Sequence, residues 1–259
     1  MLISGFSMLL ARPRRAPTAA DYVQQGLLAM WDAASNRGLG QPHNPSATSW
    51  ANCVAGAPAL AVTYTDPSAA PWRGGIRFTA VGAYAKATSS ALLTLLSKLE
   101  HWECAFAFGD PDAPGSSASP INADTRIVFA RQSANNADKG WIALGSTTKT
   151  GDGRNLLAHR RVEGKKASSL GNDKPHTASV NAVQRHAVIA ARLDGESLAF
   201  DANDGSGAFG TGLGVGITNL NNNARSVGSV YCLRLYSRAL TAAEVAANAA
   251  IDRVRFGIS

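Results

Sequence analysis

"SVYCLRLYSRALTAAEVAANAAIDRVRFGI", Ser229 to Ile258, is the stretch that decides the fold of this 259-residue chain. Tyr231, Leu233 and Leu235 alternate with Cys232, Arg234 and Tyr236, which is the two-residue period of a strand. Thr241-Ala-Ala-Glu244 then has the spacing of a capping box. In it the Thr241 hydroxyl accepts from the N–H of Glu244, and the Glu244 carboxylate accepts from the N–H of Thr241. Leu240 and Val245 flank the cap where a hydrophobic staple sits. Alanines at 242, 243, 246, 247, 249 and 250 favour helix with little loss of side-chain entropy. The stretch therefore predicts a strand, a corner and a helix near 242–252, with Val245 and Ala249 facing inward. The strand completes a sheet and the helix covers an exposed part of it.

Working outward, more strands appear. In "RHAVIAARLDGESLAFD", Ala187, Ile189, Ala191 and Leu193 share a face, Asp194-Gly195 makes a two-residue turn, and Leu198 and Phe200 return. Asp-Gly suits that turn because both central residues need positive φ. "RIVFAR" and "GWIALG" read as strands, and Ile76 and Phe78 share a face of another. Leu92, Leu95, Leu96 and Leu99 recur at helical spacing, so a short helix precedes a strand over 101–108. Polar or Gly-rich connections lie at 109–123, 133–140, 145–155 and 203–223. Many short strands without βα alternation or an internal repeat indicate an all-β sandwich or jelly roll of antiparallel sheets.

The terminal string, with its Arg-x-Tyr-x-Arg-x-Leu, capped helix and Arg-Phe, resembles the closing segment of concanavalin A-like jelly-roll domains of the laminin-G type. "GLLAMWDAASNRGLGQPHNPSATSWANCVAG", Gly26 to Gly56, resembles the opening of such domains in virion proteins of gut bacteriophages and prophages. The two matches bracket the chain from about Tyr22 to Ile258. The resemblance implies a jelly-roll domain over 21–259, with residues 1–20 as an N-terminal arm.

Apolar residues make up 45% of the chain and charged residues 17%, a globular balance. The three cysteines, Cys53, Cys104 and Cys232, cannot form a closed disulfide set, and no spacing suggests zinc. Cys104, among the apolar residues of "HWECAFAF", reads as a buried free thiol. Such cysteines fit assembly in a reducing cytoplasm, where phage particles are built. The net charge of +7 favours acidic partners: sulfated or sialylated glycans, lipopolysaccharide phosphates, or a negatively charged capsid. No recognition motif with interleaved aromatics points to nucleic acid.

Catalytic patterns are missing. Retaining glycosidases need two carboxylates about 5–5.5 Å apart. Glu103 lies in a strand whose same-face neighbours are His101 and Ala105, so no partner carboxylate follows it. His43, His101, His159, His176 and His186 are scattered, and no Gly-x-Ser-x-Gly elbow, P-loop or His-Glu-x-x-His pattern is present. The expectation is a non-enzymatic chain without a cofactor. In "DANDGSGAFG", Asp201, Asn203 and Asp204 offer oxygens for calcium, but Gly205 and Gly212 break the EF-hand spacing and Asn-Asp-Gly equally suits a turn. Calcium at these three residues stays open through the resemblance, because laminin-G domains often hold it at a rim.

Trp31, Trp102 and Trp141 read as core, and Trp50 as an anchor for the loop before it. Trp72-Arg73, in "AAPWRGG", has two readings: a stacking and hydrogen-bonding pair for a sugar, or a Trp that pins its loop to the sandwich. Arg154, Arg160, Arg161, Lys165 and Lys166 crowd into the most basic stretch, which is either a docking patch or a solvated hairpin.

In "MLISGFSMLLARPRRAPTAADYV" the arginines follow the apolar run, opposite to a secretory signal, and the run is too short to span a bilayer. Pro13 and Pro17 forbid a continuous helix, so an extended arm that binds other virion proteins or exchanges within a homo-oligomer is expected. The leading reading is a virion protein, on capsid, fibre or tail, whose lectin-like domain binds host-surface or mucus carbohydrate. A decoration protein without glycan binding and a secreted bacterial glycan-binding module are the alternatives.

Overall fold

The computed structural model describes residues 15–35, 47–63, 76–78, 84–108, 125–131, 140–146, 157–158, 162–163, 175–183, 187–194, 196–197, 212–215 and 228–258. In chain order the strands are β1 (Leu27–Asp32), β2 (Ser49–Trp50), β3 (Leu60–Thr63), β4 (Ile76–Phe78) and β5 (Tyr84–Ala87). Helix α1 (Ser90–Leu96) precedes β6 (His101–Phe108), β7 (Thr125–Arg131), β8 (Gly140–Ser146), β9 (Leu157–Ala158) and β10 (Val162–Glu163). Then come β11 (Pro175–Val183), β12 (Ala187–Leu193), β13 (Glu196–Ser197), β14 (Gly212–Val215), β15 (Gly228–Tyr236) and helix α2 (Ala242–Phe256). The first sheet runs β1-β15-β6-β11-β12-β13, with β4 also paired to β15; the second runs β2-β3-β5-β14-β7-β8. Every pairing in both is antiparallel. This is the all-β sandwich expected, with α2 as its C-terminal helix.

Between the sheets lies one core. Trp31, Trp102, Phe106, Val230, Leu233 and Leu235 come from the first sheet, and Trp50, Leu60, Val62, Ala85, Leu213 and Val215 from the second. Trp31 and Trp50 are both fully buried, so Trp50 belongs to the core itself and does more than hold a loop. Burying one Trp contributes about 5 kcal/mol at 25 cal/mol per Å². Helix α1 adds Leu92 and Leu96; its N-cap Ser89 accepts from the N–H of Leu92 at 3.3 Å. Cys104 sits in this core as the free, buried thiol its surroundings suggested.

Strand β15 departs from simple alternation at one point. Val230 pairs with Phe106 and Cys232 with Ala105, so Tyr231 is an extra residue, a β-bulge. Before the bulge Val230 faces the core; after it Leu233 and Leu235 do. Tyr231 instead joins Cys232, Met30 and Ala105 on the outer face of the sheet, contrary to the strict period, and stacks on Phe256 of α2 at 5.3 Å. All nine residues of β15 are buried, because α2 covers the face a two-layer sandwich would leave in water.

Helix α2 is longer than expected, ending at Phe256 with Gly257 in the left-handed conformation as its C-cap, φ 67°. Its capping box is as read: Thr241 N–H donates to Glu244 at 2.9 Å and Glu244 N–H donates to the Thr241 hydroxyl at 3.3 Å. Leu240 and Val245 pack together over Tyr236, which closes the staple. At the expected turn Leu193 stands opposite Glu196 and Asp194 has a positive φ of 52°, while Gly195 lies outside the described residues. Leu198 and Phe200 lie outside the described residues.

Candidate functional site

Among the described residues the densest charge cluster is not on a rim. It lies between α2 and the outer face of the first sheet. Strand alternation sends Trp102, Cys104 and Phe106 of β6 into the core and leaves His101 and Glu103 on the opposite side. Arg234 of β15 stands beside Glu103, since the two are register partners. From above, α2 presents Val245, Asn248, Ala249 and Asp252, spaced i, i+3, i+4 and i+7, so its buried stripe is half apolar and half polar.

Arg234 fits this space through its three donors. Nε donates to Glu103 at 2.9 Å, and the two terminal nitrogens donate to the two oxygens of Asp252 at 2.7 Å each. Asp252 also accepts from the Tyr22 hydroxyl at 2.7 Å and from Thr177 at 3.0 Å. Asn248 donates to Glu103 at 2.8 Å and to Tyr236 at 3.1 Å, and accepts from the N–H of Val23 at 3.0 Å. His101 Nε2 lies 3.3 Å from Glu103. The Arg234 guanidinium stacks 4.1 Å above the Tyr22 ring. A second pair, Arg255 with Asp32, extends the seam, and Arg255 also donates to the Tyr22 hydroxyl at 3.1 Å.

Burial alone would raise Glu103, but the Arg234 charge, the adjacent His101 and the Asn248 donor hold it below its ordinary value. Burial opposes charge on Arg234 too, and Asp252 and Glu103 outweigh it, so the guanidinium stays charged. Burial pushes Cys53 up to about 11 and raises Cys104 and Cys232 as well, which keeps all three thiols protonated at neutral pH. Arg234 and Glu103, at the centre of the cluster, are thus held charged by partners inside it. The cluster holds α2 against the sheet. Glu103, weighed in the sequence as a lone strand carboxylate, has a carboxylate neighbour after all, Asp252, but a guanidinium lies between them.

The residues that the sequence offered for ligand binding, Trp72, Arg73, Arg154, Arg160 and Arg161, lie outside the described residues, as do the calcium candidates Asp201, Asn203 and Asp204 and the basic Lys165 and Lys166. Their flanks are described. Trp72 and Arg73 fall between β3 and β4, and Arg160 and Arg161 in the connection of the β9–β10 hairpin, where Ala158 pairs with Val162. Among the described residues no group of three or more His, Cys, Asp and Glu side chains is arranged to hold a metal ion. No described helix is long and apolar enough to cross a membrane.

No family model matches the chain, and no curated protein matches it in sequence. Solved structures match its shape. A Trypanosoma rangeli sialidase mutant displaying trans-sialidase activity superposes with a TM-score of 0.60 at 13% identity over 89% of this chain and 33% of the sialidase. The chain thus spans about a third of that enzyme's length. Domain 4 of AbnA, a GH43 extracellular arabinanase from Geobacillus stearothermophilus, in complex with arabinotriose, superposes with a TM-score of 0.54 at 13% identity over 86% of this chain and 98% of that domain. The fold is a concanavalin A-like jelly roll. In this jelly roll α2 covers the part of the first sheet's outer face that β1, β6 and β15 form.

Proposed function

We propose that this jelly roll is a non-enzymatic glycan-binding domain of a phage or prophage virion protein, on capsid, fibre or tail, that attaches the particle to host-surface or mucus carbohydrate. The observation that carries the binding half is the likeness along nearly its whole length to a domain solved with arabinotriose. Binding without cleavage is supported by the chemistry of the described residues. The paired carboxylates Glu103 and Asp252 are consumed by Arg234 beneath a helix, and the three thiols are buried and protonated. The virion half rests on the sequence, on Gly26–Gly56 and Ser229–Ile258. Trp72 and Arg73 supply a stacking face and a hydrogen-bonding charge, and Arg154, Arg160 and Arg161 supply attraction for acidic sugars.

The experiment is a glycan array probed with the full chain, followed by calorimetric titration of the best hits. Arabino-oligosaccharides, sialylated and sulfated glycans, and lipopolysaccharide cores belong on the array. Saturable binding with no release of sugar is the expected result. Hydrolysis of any ligand overturns the non-enzymatic reading. Absence of binding overturns the glycan reading and leaves a decoration protein that stabilises the particle.

A further inference from the structure

Helix α2 does not meet the sheet everywhere. A crevice remains beneath its first turns, with Ala242, Ala246 and Ala249 on the helix side and Glu103, Ser179 and Arg192 on the sheet side. It exists because alanine side chains are too short to fill the step between helix and sheet. Ala242 and Ala246 are exposed and Ala249 is buried, so the crevice leads inward from the start of the helix. The space open to the centre of a water molecule is about 40 Å³. One water needs about 10–15 Å³ by this measure, so the crevice has room for roughly two or three.

The sheet side is a single row of polar residues. Glu103 of β6 is the register partner of Ser179 of β11, and Ser179 is the register partner of Arg192 of β12. Side chains paired in this way stand next to one another on one face of the sheet. Ser179 is only 7% exposed, and among the described residues its hydroxyl has no hydrogen-bond partner. Glu103 accepts both of its hydrogen bonds, from Arg234 and from Asn248, on Oε2. Its Oε1 has His101 Nε2 at 3.3 Å, but that nitrogen is not aligned to donate and makes no hydrogen bond. An ionised carboxylate shares its charge between two oxygens, so Oε1 needs a donor as much as Oε2 does. Leaving a buried hydroxyl and a carboxylate oxygen bare costs more than ordering water beside them.

We infer that this crevice is a hydration site built into the fold, in which ordered water donates to Glu103 Oε1, bridges it to the Ser179 hydroxyl and continues toward Arg192. The space is too small for a sugar ring, and the guanidinium on its wall opposes a metal cation. Water supplies the donor that no described residue gives to Oε1, and so completes the polar seam under α2. This inference is independent of glycan binding.

A high-resolution crystal structure of the full chain is expected to show water within hydrogen-bond distance of both Glu103 Oε1 and Ser179 Oγ. A dry crevice overturns the inference. In solution, Ser179→Ala and Ser179→Val separate wet from dry. Alanine removes the hydroxyl and keeps the room for water, whereas valine fills the room with methyl groups and strips Glu103 Oε1. Ser179→Val is expected to unfold about 5 °C below Ser179→Ala, although valine is the better strand former. A dry crevice would gain from the added methyl groups, so a valine variant as stable as the alanine variant, or more so, overturns the inference. Crowding by valine would lower the midpoint alike at every pH. Loss of water also takes a donor from the Glu103 carboxylate, so the fall of the midpoint in acid is expected to start about one pH unit higher in Ser179→Val than in Ser179→Ala. The same onset in both variants counts against the inference.

Discussion

Arg234 and Asp252 stand 18 residues apart in sequence and face each other through two parallel hydrogen bonds of 2.7 Å, with both side chains fully buried. The pair fastens α2 to the strand that precedes it and fixes the position of the helix along the sheet. Taking such charges out of water costs several kcal/mol each, which the mutual attraction roughly offsets. The stabilising value lies in leaving neither partner alone. Arg234→Met and Asp252→Ala are each expected to lower unfolding free energy by about 3–5 kcal/mol. Replacing Glu103, Arg234 and Asp252 together with apolar residues is expected to cost less than the worse single change. Urea unfolding measures all three; additive losses would contradict the coupling.

Thr241→Ala removes the acceptor for the first-turn N–H of Glu244 and is expected to cost about 1 kcal/mol. Glu244→Ala is expected to cost more, because Glu244 also pairs with Arg238, whose Nε donates to the Gln25 carbonyl at 3.1 Å. An unchanged unfolding midpoint in Thr241→Ala would show that the cap does not hold the helix start.

Acid is expected to loosen the helix. Hydrogen bonds from Arg238 and from Thr241 hold Glu244 down at about 2, against an ordinary 4.5. Glu103, despite its burial, also lies below 4.5 because of Arg234. Both groups bind protons more tightly in the unfolded chain, so their contribution is complete above pH 4.5 and is lost as pH falls through the folded values. The thermal midpoint should be level from neutral pH to about 5 and fall below 4.5. High salt should weaken the part due to half-exposed Glu244 and spare that of buried Glu103. A midpoint that stays level down to pH 3 would refute the assignment.

Two glycines with positive φ separate steric from conformational cost. At Gly212, φ 142°, an added Cβ would meet the Ala87 carbonyl oxygen at 2.3 Å, between paired strands β14 and β5. At Gly257, φ 67°, the space is open. Gly257→Ala is expected to cost about 1 kcal/mol from backbone strain alone. Gly212→Ala is expected to cost about 3 kcal/mol, since one backbone must also move. Equal losses by calorimetry would mean that the β5–β14 contact yields easily.

Glycan binding, if acidic sugars are the ligand, is expected to divide into two parts. Neutralising Arg160 and Arg161 should weaken binding mainly at low salt, because exposed charges act across about 8 Å at physiological ionic strength. Trp72→Ala should weaken it at every salt concentration, since stacking is short-ranged. Titrations at two salt concentrations measure both, and binding indifferent to salt and to both changes would remove these residues from the site.

What the sequence by itself determined is what a few neighbouring residues can encode. The capping box at Thr241, the staple of Leu240 and Val245, the positive φ at Asp194 and the helix over Leu92 and Leu96 all depend on contacts within about five residues, and the strands show locally as an alternation of side chains. Tertiary structure alone decided the rest. The bulge at Tyr231 exists because β6 supplies one residue where β15 supplies two, a mismatch that β15 does not carry in its own pattern. Arg234 reads locally as the polar side of a strand, and Asp252 as the polar face of a helix. They are buried because the strand order places β15 beside β6, with Glu103 131 residues away, and because α2 turns back over both, bringing Tyr22 from 230 residues away to Asp252. A charge is stable inside only when its partners arrive together, and which partners arrive is a property of the sheet order, which no local stretch of sequence contains.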